Sequence, residues 1–159
     1  MNDLILFLKE SNAIEDVWDE QSLTNAKKAW DYLIKQKELT TKNILRTHEI
    51  LMKDKLDKDN LGHWRKQPVW IGGHEAKPWF AIPDLMEQWI KVANHGAKIK
   101  DEDVAKNDHM HFESIHPFID GNGRMGRILL NWQRVKVGLP ILVIKEAEKW
   151  GYYSWFSEK

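Results

Sequence analysis

Residues 116–127 read HPFIDGNGRMGR, and how these twelve residues fold decides where the rest of the chain must go. Pro117 disfavours helical geometry at His116, and the glycines after it break regular structure, so the segment joins two helices. Gly121, Asn122 and Gly123 let backbone N–H groups converge into an anion-binding nest. The helix that follows aims its positive amino-terminal end at the same place. Arg124 and Arg127 stand three apart, which puts both guanidinium groups on one helical face. Arginine grips phosphate oxygens with paired charge-assisted bonds, so two arginines beside a nest suit a polyphosphate. Asp120 supplies the hard oxygen that Mg²⁺ bridging two phosphates prefers. His116, with an ordinary pKa of about 6.5, can accept a proton near neutrality. Phe118 reads as the apolar anchor that pins the loop to the core. Each of these alone has a plainer explanation: a structural histidine, a turn aspartate before glycine, a solvated arginine face. Together, in this order, they make phosphoryl or nucleotidyl transfer chemically coherent.

Working outward, the chain reads as mostly helical with one hairpin. Leu23, Ala26, Trp30, Leu33 and Ile34 recur at helical spacing behind a cap at Asp19 or Ser22. Thr40 or Thr41 caps a second helix with Ile44, Leu45, Leu51 and Met52 on its apolar face. Residues 56–66 are polar and contain Gly62, which predicts a loop. The β-prone runs Val69-Trp70-Ile71 and Trp79-Phe80-Ala81-Ile82 flank Gly72 and Gly73 and predict a hairpin with a long loop. Pro83 suits the first turn of a helix carrying Leu85, Met86, Trp89, Ile90 and Ala93, stopped by Gly96. Asp101 caps the helix with Val104, Ala105, Phe112 and Ile115. Another runs from near Gly123 to Val137 and closes at Gly138 and Pro140, and the tail over 146–156 is helical too.

Composition narrows the function classes. A chain of 159 residues without repeat or linker is about one domain. Acidic and basic residues balance at 24 each, which argues against direct nucleic-acid binding, since that usually needs a basic face. No cysteine is present, so no disulfide framework or thiolate metal site forms. No apolar run approaches the ~20 residues of a membrane span, and no signal peptide opens the chain; a cytoplasmic protein is expected. The nine tryptophans are read mainly as filling the core and its margins.

The segment matches the Fic signature HPFx(D/E)GNGRxxR at every specified position. Its flanks agree: residues 109–115, HMHFESI, resemble the helix leading into that loop, and Gly138-Leu139-Pro140 the end of the helix after it. Gly62, Arg65, Val69, Trp70, Ile71, Gly72 and Gly73 resemble the family's target-positioning flap. The resemblance covers most of residues 40–145. It implies an all-α Fic fold, a bundle of helices around the loop-helix with a short β-hairpin flap. It also implies transfer of AMP from Mg²⁺-ATP to a Ser, Thr or Tyr hydroxyl of a target protein. On that basis His116 is the base and Asp120 the Mg²⁺ ligand. Gly121, Asn122 and Gly123 cradle the phosphates, Arg124 meets the β-phosphate region and Arg127 the γ-phosphate. A relative that transfers phosphate, the death-on-curing toxin, carries lysine where this chain has Gly123. Transfer from another nucleotide donor stays open, as do toxin and regulatory roles.

Many Fic proteins carry an inhibitory helix with the pattern [S/T]xxxE[G/N]. Ser11-Asn12-Ala13-Ile14-Glu15-Asp16 matches except at Asp16. The resemblance therefore divides the chain into an inhibitory region at 1–20 and a catalytic core at 21–159. A Glu15 carboxylate on Arg127 would occupy the cation meant for the γ-phosphate, and productive geometry tolerates little displacement. Read more simply, Ser11 caps a helix and Glu15 lies exposed on it. In some relatives the equivalent glutamate also aligns a water that removes AMP, and Tyr152 or Tyr153 is open to self-modification. Two other classes compete. A metal-dependent hydrolase could use His109, His111, His116 and Asp120, but His109 and His111 face about 200° apart on a helix. A non-catalytic interaction domain could keep the motif and bind through its tryptophans. Dimerisation is left open by the sequence.

Overall fold

The computed structural model describes residues 2–157. Among them are seven α-helices and one two-stranded sheet, in line with the all-α expectation. Helix α1 spans Asp3–Ile14, α2 Glu20–Ile34 and α3 Thr41–Leu51; after the hairpin come α4 Ile82–Gly96, α5 Glu102–Ile115, α6 Asn122–Lys136 and α7 Lys149–Tyr153. The starts are chemically marked. The Asp19 side chain accepts from the Ser22 backbone and the Asp101 side chain from that of Asp103. Thr40 and Asn43 form a reciprocal capping box, which satisfies two otherwise orphaned N–H groups.

Helix α6 is buried on all faces, from Arg124 through Arg134 without a break. A helix enclosed in this way must be the centre of the bundle, and α1, α2, α4 and α5 pack around it. The core joins Phe7 and Leu8 of α1 to Leu33, Ile44, Trp89, Phe112, Phe118, Met125 and Trp132. The amino-terminal helix is thus part of the same core that carries the motif. No helix among the described residues is long and apolar enough to cross a membrane.

The structure corrects several details. The hairpin is tighter than predicted: β1, Trp70–Ile71, pairs with β2, His74–Glu75, across Gly72-Gly73. Both glycines have positive φ, +54° and +87°, as a two-residue hairpin turn of matching twist demands. Trp79–Ala81 is instead a 3₁₀ turn leading into α4, where Pro83 sits in the first turn. Gly96 does not stop α4 through backbone freedom; a Cβ there would meet Gln133 and Asp108 across the packed helices. The tail is a 3₁₀ turn, the short α7 and another 3₁₀ turn. The tryptophans are not mainly interior. Trp30, Trp89 and Trp132 are buried, whereas Trp18, Trp70, Trp79 and Trp150 are exposed.

Candidate active site

Helix α5 ends at Ile115, and its terminus sets the site. His116 takes left-handed geometry, φ +51° and ψ +63°, while its N–H closes a bond to the Phe112 carbonyl. Pro117 explains why the helix cannot continue, and a left-handed residue is the usual way to stop one. For a residue with a Cβ this conformation costs about 1–2 kcal/mol, so neighbouring contacts must hold it. The His116 ring lies 3.3 Å, at Nδ1, from the Glu113 carbonyl. Nδ1–H donates there, which leaves the Nε2 lone pair free as a base. Burial lowers the His116 pKa, and Arg65 adds to the effect, favouring the neutral form a base requires.

The loop after His116 is pinned from three sides. Asn122 accepts from the Phe118 N–H at 2.8 Å and donates to the Phe118 carbonyl at 2.7 Å. The Asn122 side chain thus shapes the turn and leaves its backbone N–H available to an anion. Phe118 is fully buried and stacks on His48 at 3.8 Å between ring centres, nearly parallel. His48 accepts from the Gly62 N–H at Nδ1 and donates from Nε2 to the Asp120 carbonyl. Burial drives the His48 pKa down to about 4, so the ring is a neutral bridge near pH 7. Gly121, at φ +86°, opens α6.

One cavity of about 630 Å³ gathers the motif: His116, Asp120, Gly121, Asn122, Gly123, Arg124 and Arg127 all line it, and so does Glu15. Asp120 is exposed, and its Oδ1 accepts from the Gly121 N–H at 2.8 Å. No group of three or more His, Asp or Glu able to hold a metal occurs among the described residues. A single carboxylate beside an anion nest still fits Mg²⁺, which is commonly held by one or two carboxylates with the rest from phosphates and water. Arg124 Nε is buried without a partner among the described residues, a donor in want of an acceptor. Met110, Tyr153, Phe156 and Ile71 form an apolar side of the cavity. Ile71 is the one strand residue of the predicted flap that lines it; Val69, outside β1, pairs its carbonyl with the Ala76 N–H.

Arg127 is the most constrained cation of the cavity, 1% exposed. It donates to Ser11 Oγ at 2.8 Å, to the Ser11 carbonyl at 3.0 Å and to Glu15 at 2.6 Å. Burial works against its charge, but Tyr152, Glu15 and Glu113 around it raise its pKa. Ser11 therefore does not cap a helix; it is buried within α1, and Glu15 caps the carboxyl end. A Cβ at Gly123 would fall on Glu15 Oε2, so the carboxylate sits at the anion nest itself. Asp16, the departure from the inhibitory pattern, has φ +59°. Glycine and asparagine enter this region most readily and aspartate tolerates it, which accounts for both the pattern and the exception.

Part of the site was missed from sequence. Tyr152 accepts from Arg127 Nη1 at 3.2 Å and donates to His109 Nε2 at 2.8 Å, while His109 Nδ1–H donates to the Gly126 carbonyl at 3.0 Å. Both His109 nitrogens are therefore engaged internally, and His111 points to solvent, which removes the pair as metal ligands. Glu113 Oε1 and His109 Cε1 both lie close to Gly126; Glu113 Oε1 is buried without a partner among the described residues, and burial pushes its pKa up to about 8. Its position four residues after His109, on the same face of α5, was the available signal.

Known proteins resemble this chain in sequence and in fold. The Drosophila persimilis protein named Protein adenylyltransferase Fic is 32% identical over 124 residues, covering 76% of this chain. The Drosophila virilis protein of the same name is 31% identical over the same length. The chain spans only 24–25% of the length of these relatives. Two solved structures share the fold: a Fic-domain-containing signalling protein from Bacteroides thetaiotaomicron and Fic-1 from C. elegans. The first has a TM-score of 0.79 at 22% identity, over 94% of this chain and 69% of the other. The second has a TM-score of 0.81 at 19% identity, over 96% of this chain and 54% of the other. The family profile described as Fic/DOC matches residues 38–133, more than half of the sequence, with the whole of α5 and the loop and all but the last turn of α6, so this chain belongs to the Fic/DOC family.

Proposed function

We propose that this chain transfers AMP from Mg²⁺-ATP to a hydroxyl side chain of a protein target and is held back by Glu15. The observation that carries this reading is the convergence of His116, Asp120, Arg124 and Arg127 on one cavity whose anion nest is covered by the Glu15 carboxylate. His116 Nε2, neutral and without a bonding partner among the described residues, accepts the proton of a Ser, Thr or Tyr hydroxyl as that oxygen attacks the α-phosphorus, and the bond from the α-phosphorus to the bridging oxygen breaks to release pyrophosphate. Backbone N–H groups at 121–123 and the amino end of α6 stabilise charge building on the phosphate oxygens. Arg124, with its unpartnered Nε, and Arg127 hold the outer phosphates. Asp120 would hold Mg²⁺, which would neutralise charge between the α- and β-phosphates. The hairpin 70–75 would pair with an extended segment of the target through its backbone. Val69, Trp70, Ile71, Gly72 and Gly73 carry that role.

Residues 1–20 act as the inhibitory region and 21–159 as the core in this reading, though both share one hydrophobic interior. While Glu15 holds Arg127, the γ-phosphate meets a carboxylate where it needs a cation, and a displaced donor is not in line. Labelling distinguishes the reaction. With the Glu15→Gly variant, ATP labelled at the α-phosphate should mark protein and ATP labelled at the γ-phosphate should not. The reverse pattern would mean phosphate transfer and end the AMP reading.

A further inference from the structure

Arg65 lies outside the catalytic loop, yet it is 1% exposed and among the largest fully buried side chains. Its guanidinium meets no carboxylate within ion-pair distance among the described residues. Four of its five donors go to backbone carbonyls. Nε donates to His116 at 2.6 Å, Nη1 to Gln67 at 3.0 Å, and Nη2 to both Lys77 at 2.5 Å and Ile115 at 3.2 Å. Its own backbone N–H donates to the Pro117 carbonyl at 2.9 Å. The partners form two sets. Ile115, His116 and Pro117 are the end of α5 and the turn of the candidate base. Gln67 and Lys77 are the entry and exit of the hairpin. One planar fork therefore joins both feet of the hairpin to the backbone on either side of His116.

This geometry has two physical consequences. The last carbonyls of α5 lack intrahelical partners, and a cation there matches the negative end of the helix dipole. A left-handed residue with a side chain persists only where its surroundings over-determine it, and Arg65 supplies the bond to the His116 carbonyl that does so. The hairpin has only two paired residues on each strand, too few for stability in isolation, so its placement depends on its feet. Lysine could not replace the fork, because its single ammonium cannot span carbonyls in a fixed plane.

We infer that Arg65 is a positioning residue that makes the hairpin and the His116 turn one rigid body, so that a strand docked on the hairpin presents its hydroxyl in register with His116. The consequence for transfer rests on the proposed function; the coupling itself does not. Two variants, Arg65→Ala and Arg65→Lys, test it in the Glu15→Gly background. The readouts are amide exchange at Ala76, the Cα and Cβ chemical shifts of His116, ATP affinity, and transfer of α-phosphate label. The coupling predicts that exchange at Ala76 rises about tenfold or more while Leu130 in α6 stays protected. It also predicts that the His116 shifts move away from left-handed values. ATP affinity should stay within about twofold while label transfer falls about 100-fold, the expected cost of a 1 Å misplacement. Millimolar guanidinium should restore part of the transfer and of the Ala76 protection in Arg65→Ala, but not in Arg65→Lys. Unchanged exchange and shifts would overturn the inference, as would loss of ATP binding in step with transfer. If Arg65→Ala does not fold, Arg65→Lys carries the same readouts. If the Glu15→Gly parent transfers no label, the functional reading fails, while exchange and shifts still decide the coupling.

Discussion

Replacing Glu113 by glutamine should flatten the alkaline loss of stability of this protein. Its buried carboxyl titrates near 8 in the folded chain against an ordinary 4.5, because burial disfavours the charged form. A raised acid pKa means the folded state holds the proton that the unfolded state has released. The contribution is therefore fully present below about 4.5 and lost as pH rises through about 8. At about 1.4 kcal/mol per tenfold, the loss between pH 5 and pH 8.5 has a ceiling of about 4 kcal/mol. Glu113 is only partly buried as a whole and lines the cavity, so access of water reduces this, and about 2 kcal/mol is expected. Urea unfolding of wild type and Glu113→Gln at both pH values gives the number as a difference of differences. Buried His48 and His109, whose pKa values fall to about 4 and about 3, destabilise the fold only as pH drops below about 6.5, equally in both proteins. Equal alkaline losses in wild type and Glu113→Gln would mean that Glu113 does not keep its proton in the folded chain.

Other substitutions probe the packing that shapes the site. Gly126→Ala would drive a Cβ into Glu113 Oε1 and to 2.9 Å from His109 Cε1; thermal or urea unfolding should show a loss of about 1–3 kcal/mol from overpacking. Phe118→Ala removes a fully buried ring stacked on His48 and should cost about 3–5 kcal/mol by the same measurement. Asp16→Asn keeps a residue type that tolerates φ +59° and should leave both stability, within about 0.5 kcal/mol, and the basal transfer rate unchanged; a rise in basal transfer would show that Asp16 itself sets the position of Glu15.

The parts of the fold that were legible in the sequence are those dictated over short distances. Pro117 and the glycines at 121 and 123 act within a turn, so the break between α5 and α6 and the placement of Arg124 and Arg127 could be read directly. Asp19, Thr40 and Asp101 announced their helices by capping chemistry that spans two or three residues. The hairpin was placed at the right glycines but given the wrong second strand. Trp79 to Ile82 look β-prone in isolation, yet Pro78 and Pro83 favour a turn running into a helix. Contacts across the bundle were harder to read. Glu15 and Arg127 meet across 112 residues, and only a borrowed pattern suggested it. Arg65 was noted as part of a flap, but its five backbone partners depend on how α5 and the hairpin approach each other. His48 went unremarked, because its bridge from the Gly62 N–H to the Asp120 carbonyl joins segments far apart in the chain. The four exposed tryptophans defied expectation because size alone does not decide burial, and a large aromatic is seldom enclosed completely.

In the proposed function His116 is the base of AMP transfer and Glu15 restrains it. The most direct measurement incubates wild type, Glu15→Gly and Glu15→Gly/His116→Ala with Mg²⁺ and ATP labelled at the α-phosphate, alongside ATP binding for each. Strong labelling of protein is expected in Glu15→Gly, weak labelling in wild type and none in the double variant, with ATP bound by the last. Equal labelling of wild type and Glu15→Gly would contradict the restraint, and labelling that survives loss of His116 would contradict its role as the base.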